Sequence, residues 1–116
     1  MITDLTRGRF TEFAELVEAG KGRGPWLVLT HDNPDPDALA SAAVLARVFE
    51  HRFGQRATCA YGGIIGRAEN REMVRTLGLQ LSHLRHLSFD RYGRFALVDT
   101  QPETGNNQLP RALVPD

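Results

Sequence analysis

The run Trp26-Leu27-Val28-Leu29-Thr30 leads directly into His31-Asp32-Asn33-Pro34-Asp35-Pro36-Asp37, and that acidic stretch leads directly into a helical pattern from Ala38 to Phe53. No other feature constrains the fold as tightly. A short apolar run bounded by turn formers suits a buried strand. In the helical pattern, Leu39, Ala42, Ala43, Ala46 and Phe49 share one face, with Val44, Leu45 and Val48 beside it, so the helix is expected to be well buried. Gly54 stands where a helix-ending glycine belongs. The alternation then repeats. A strand is expected over Arg56 to Tyr61, ended by Gly62-Gly63, then a helix over Arg67 to Leu77 stopped by Gly78, then a strand over Phe95 to Val98 that ends on Asp99. Leu79 to Ser88 is ambiguous. An earlier helix is expected over Thr11 to Ala19, broken by the loop Gly20 to Pro25. Strands alternating with helices predict an α/β fold, a Rossmann-like parallel sheet flanked by helices. Ligands of such open sheets sit beyond the carboxyl ends of the strands. The acidic stretch and Asp99 both stand at such ends.

The chain has 116 residues, enough for one small domain. Its 14 basic and 14 acidic residues balance, which gives no sign of a basic nucleic-acid surface. The single cysteine, Cys59, excludes an internal disulfide and is compatible with a reducing compartment. The first residues lack the apolar core of a signal peptide, and no apolar run approaches the roughly 20 residues of a spanning helix. A cytoplasmic domain is expected.

Pro34 and Pro36 bias Asn33 and Asp35 toward extended backbone. Side chains two apart in an extended segment point to the same side, which would project Asp35 and Asp37 together, with His31 within reach. Like charges held close need a proton or a cation to offset them. Two carboxylates and an imidazole suit manganese, magnesium, iron or zinc. The same residues also suit an inert turn: Asp37 is a candidate N-cap, and Asp32-Asn33-Pro34 is ordinary turn sequence. The spacing does not match a calcium EF-hand loop, and the chain has no P-loop and no G-x-S-x-G nucleophile elbow.

HDNPDPDALASA resembles motif I of the DHH phosphoesterase superfamily, a histidine followed by P-D-x-D and a helix of small residues. ALVDTQPETGNNQLP resembles motif II and its extension, in the branch that includes nanoRNase/pAp-phosphatase and exopolyphosphatase-like proteins, and GGIIGRAENREMV is similar to that branch as well. The resemblance runs through most of the chain from Trp26 onward. It implies that His31 and Asp35 bind one metal, that Asp37 binds a second, and that Asp99 bridges the two. The four would form the catalytic and metal-binding set, with manganese or magnesium as cofactor. It implies hydrolysis of phosphate esters or phosphodiesters of nucleotides or short single-stranded oligonucleotides by metal-activated water. Polyphosphate or pyrophosphate hydrolysis, or a non-catalytic nucleotide- or metal-binding regulatory module, are the alternatives.

The superfamily's Asp-His-His motif is missing from residues 1–116, as is the substrate domain that follows it. The chain is therefore expected to be the N-terminal part of a DHH domain, inactive alone, with at most one well-held metal. A half-sheet also leaves an edge that can pair with another chain, so a homodimer is expected. Arg67, near a strand end, is the candidate substrate-phosphate contact, with an ordinary surface arginine as the alternative, and Asn70 and Arg71 belong to the same patch or to a solvated helix face. Gly62-Gly63 would let backbone approach a phosphate, and a plain turn explains the pair equally well. His83 and His86 are read as surface or packing histidines, His51 as an exposed helix residue, and Cys59 as a small core residue.

Overall fold

The computed structural model describes residues 3–63, 71, 72, 74, 75, 81–100, 107, 109, 110, 113, 115 and 116. Among the described residues the main elements are helix α1 (Asp4–Ala19), strand β1 (Trp26–Thr30), helix α2 (Pro36–Phe53), and strands β2 (Ala57–Tyr61), β3 (Leu81–His83) and β4 (Arg94–Val98). Two single 3-10 turns, Leu84–His86 and Phe89–Arg91, lie between β3 and β4. Among the described residues the strand pairings are all parallel, and the sheet order is β3-β2-β1-β4. This is the α/β architecture expected, and the order is that of the first four strands of a doubly wound sheet.

β1 lies inside the sheet, and all five of its residues are buried. Successive side chains of a strand point to opposite faces, so β1 feeds two cores. Trp26 and Val28 pack with Val17 of α1, with Ala42, Ala46, Phe49 and Phe53 of α2, and with Cys59 of β2. Leu27 and Leu29 pack on the other side with Ala60, Leu84 and Phe95. The Trp26 and Phe49 rings stack with centroids 4.1 Å apart. Cys59 is buried, its thiol donates to the Ala42 carbonyl at 3.1 Å, and burial together with nearby Glu50 pushes its pKa up to about 12. The thiol is thus a core contact between α2 and β2.

The helices differ from expectation at their starts. α1 begins at Asp4, well before Thr11, because the Thr3 hydroxyl accepts the Thr6 N–H and caps the helix there. α2 begins at Pro36, not Ala38. Proline suits the first turn of a helix, where its missing N–H removes no hydrogen bond. Asp35, not Asp37, is the N-cap, its Oδ1 accepting the Ala38 N–H at 2.9 Å. Asp35 and Asp37 therefore do not share an extended segment: one caps the helix and the other lies in its first turn. The burial of α2 is also narrower than expected. Ala38, Leu39, Ala42, Ala46, Phe49 and Phe53 are buried, while Val44 is 62% exposed.

The strands fall within one residue of their expected bounds, and β3 resolves the ambiguous segment. Of the helix expected over Arg67 to Leu77, only 71, 72, 74 and 75 are described, and they are helical. Arg67 and Asn70 lie outside the described residues, and Arg71 is exposed. His51 is exposed, as expected.

At the amino-terminal end of the sheet, the buried side chain of Arg94 clamps α1. Its guanidinium donates to the carbonyls of Val17 (2.7 Å) and Leu16 (2.9 Å) and lies 4.1 Å from the Trp26 ring centroid. Asp116 adds to β4 from outside: its N–H donates to the Phe95 carbonyl at 2.7 Å, and its carboxylate accepts the Phe95 N–H at 3.0 Å. Among the described residues no helix is long and apolar enough to cross a membrane.

Candidate metal centre

Strand register sets the first contact of the site. Thr30 of β1 pairs with Val98 of β4. The next residue on each strand is therefore His31 or Asp99, side by side at the carboxyl edge of the sheet. This is also where strand order reverses, since β2 and β3 lie on one side of β1 and β4 lies on the other. Such a switch point leaves a crevice between the diverging connections.

The loop after β1 then returns to the same point. Asn33 has φ 54°, so the chain turns there through left-handed backbone instead of the extended form that a following proline favours. Asparagine tolerates that region better than most residues. Contacts with the end of β2 help hold it: the Asn33 N–H donates to the Gly62 carbonyl at 3.1 Å, and Gly63 lies so close that a side chain there would overlap the Asn33 side chain. Asp35 follows in extended conformation, and capping of α2 fixes its carboxylate.

The result is a three-residue cluster. Ligand atoms of His31, Asp35 and Asp99 all lie within 4.8 Å of one another. His31 Nε2 is 3.8 Å from Asp35 Oδ2 and 3.6 Å from Asp99 Oδ2. On its other side, His31 Nδ1 is 2.9 Å from the Asp32 carbonyl oxygen. A carbonyl only accepts, so Nδ1 carries a proton and Nε2 is the nitrogen presented to the carboxylates. A bare Nε2 lone pair facing two carboxylates is repulsive. A proton on Nε2 or a cation between the three groups removes the repulsion.

The donor set fits a divalent cation. Ligand atoms at about 2.0–2.2 Å from a metal stand roughly 2.8–3.6 Å apart, so side-chain shifts on the order of an ångström bring this trio into range. One imidazole with carboxylates suits manganese, and a backbone carbonyl on the far imidazole nitrogen is the usual way a metal-binding histidine is oriented. The Asp32 Oδ1 atom is buried and has no hydrogen-bond partner among the described residues, which adds negative potential next to His31. His31 is the half-buried member, 17% exposed at its side chain, while Asp35 and Asp99 are more than half exposed and open the site to solvent. Asp99 itself has φ 57°, another left-handed residue at the site.

Three of the four expected ligands therefore converge. The fourth, Asp37, is exposed in the first turn of α2 and outside the cluster. The expected phosphate contact, Arg67, lies outside the described residues. Sequence reading passed over His83 as a packing or surface residue. In the structure its ring is bonded to the Gly63 carbonyl, next to the contacts that Gly62 and Gly63 make with Asn33.

No family model matches the chain, and no solved structure matches it. Over 91 residues it is 43% identical to an uncharacterized protein of Methanocaldococcus jannaschii. The match covers 78% of this chain and 18% of that protein, so the chain spans about a fifth of the length of its relative.

Proposed function

We propose that this chain supplies the first metal-binding part of a metal-dependent phosphoesterase acting on nucleotides or short single-stranded oligonucleotides. The observation that carries the reading is the convergence of His31, Asp35 and Asp99 within 4.8 Å at the switch point of a parallel sheet. In this reading Nε2 of His31 and the carboxylates of Asp35 and Asp99 hold one divalent cation, manganese or magnesium. Bound there, such a cation polarises a phosphoryl oxygen and lowers the pKa of a neighbouring water.

The chain's own residues do the rest. The Asp32 carbonyl keeps the His31 proton on Nδ1, so Nε2 stays available as a ligand. The α2 cap holds Asp35 in place. The amino-terminal end of α2 opens beside the site, and its positive dipole end favours an anionic substrate such as a phosphate. Asp37, in that first turn, is left to hold a second cation only with ligands supplied from elsewhere. For this reason the reading assigns one well-held cation to this chain and turnover to the full translation product of the gene.

The test is a hydrolysis assay on that full product with Mn2+, using pAp, a dinucleotide and pyrophosphate as substrates. Phosphate or nucleotide release that disappears in Asp99→Asn is expected. A correctly folded, Mn2+-loaded product that cleaves none of the three would refute the enzyme reading and leave a binding module.

A further inference from the structure

The His31 and Asp35 ligands hang on a loop whose turn, at Asn33, adopts a backbone conformation that costs energy for any residue but glycine. Something must hold it. Its contacts lead sideways across the carboxyl edge of the sheet. Asn33 donates to the Gly62 carbonyl and is packed against Gly63. Gly63 is in turn held by β3: its carbonyl oxygen is 2.9 Å from His83 Nε2. The His83 ring is itself fixed on both sides. Nδ1 accepts the Arg85 N–H at 3.1 Å, and the ring meets the edge of Tyr61 at 5.1 Å, its register partner on β2. An amide can only donate and a carbonyl can only accept, so these two bonds select a single tautomer with the proton on Nε2.

We propose that His83 is a positioning residue for the metal loop. It acts through Gly63 and Gly62 to hold Asn33, and through Asn33 to set where His31 and Asp35 meet. Its effect on cation affinity rests on the proposed reading of the site; its effect on the Asn33 turn does not. Gly63 has φ 69° and no room for a side chain against Asn33, so the Gly62-Gly63 pair transmits position by direct contact. The relay spans β3, β2 and β1 and ends beside Asp99 at β4.

Two substitutions divide the two bonds of His83. In His83→Asn the short amide can still receive the Arg85 N–H but cannot reach Gly63. In His83→Gln the longer amide can donate to the Gly63 carbonyl. The measurement is hydrogen exchange of the Asn33 amide in the metal-free chain, with the amides of Leu27 and Leu29 as reference, followed by Mn2+ titration.

His83→Asn is expected to speed Asn33 exchange by up to about tenfold, the loss of one ordinary hydrogen bond, without speeding the reference amides. It is expected to weaken Mn2+ binding by about tenfold or more, as loss of an outer support of a metal ligand does. His83→Gln is expected to restore both. Unchanged Asn33 exchange in His83→Asn would overturn the proposal, and so would equal acceleration at Leu27 and Leu29, which marks general loosening. If Asn33 exchange responds as expected while the wild-type chain binds no Mn2+, the positioning role stands and the cation reading falls.

Discussion

At the scale of single residues, Asp35 carries two tasks on two oxygens. Oδ1 accepts the Ala38 N–H and starts α2; Oδ2 faces His31 Nε2. The tasks separate by substitution. Asn is as good an N-cap as Asp, so Asp35→Asn is expected to leave stability within about 0.5 kcal/mol of wild type. It removes the negative charge and is expected to weaken Mn2+ binding by at least about tenfold, the equivalent of 1.4 kcal/mol. Asp35→Ala loses the cap as well and is expected to cost about a further 1 kcal/mol in urea unfolding. Equal stability of Asn and Ala variants would contradict the capping role; equal Mn2+ affinity of Asn and wild type would contradict the ligand role. His83 shows what sequence reading misses at this scale. HxxH carries no signal of its own, and the role of the first histidine comes from a glycine carbonyl 20 positions earlier in the chain.

At the scale of elements, the strands and the long helix were legible because their apolar periods are clean and their breakers are glycines. The starts of the helices were not. Pro36 reads as a turn former until it is recognised that a proline at the first helical position is favourable, and then Asp35 becomes the cap. The left-handed turn at Asn33 was illegible for a different reason: local proline chemistry argues for extended backbone, and contacts with Gly62 and Gly63, about thirty residues away, override it. Arg94 belongs here too. Nothing in Arg94-Phe95-Ala96-Leu97-Val98 marks its first residue as buried, yet its guanidinium donates to carbonyls at the end of α1. Burial pulls its pKa down and Asp116 opposes that shift. Lysine cannot present the same fork of donors. Arg94→Lys is expected to lose about 1.5–3 kcal/mol of stability, the range for hydrogen bonds to a charged group. Urea unfolding measures it, and a loss under about 0.5 kcal/mol, the scatter of surface substitutions, would show that the clamp is not needed.

At the scale of the whole molecule, the parallel order β3-β2-β1-β4 brings His31 and Asp99 together even though they lie 68 positions apart in the chain. Neither residue is a site alone. The reversal of strand order places their strand ends side by side, the Asn33 turn returns Asp35 to the same point, and α2 then leads away from it. The sequence motif marks the residues as candidates; the register of β1 against β4 brings His31 and Asp99 to one place. The central claim is that these three side chains make one divalent-cation site in this chain. Calorimetric titration of Mn2+ into the 116-residue chain tests it most directly. One site per chain is expected; no binding, or two equally tight sites, would contradict the account.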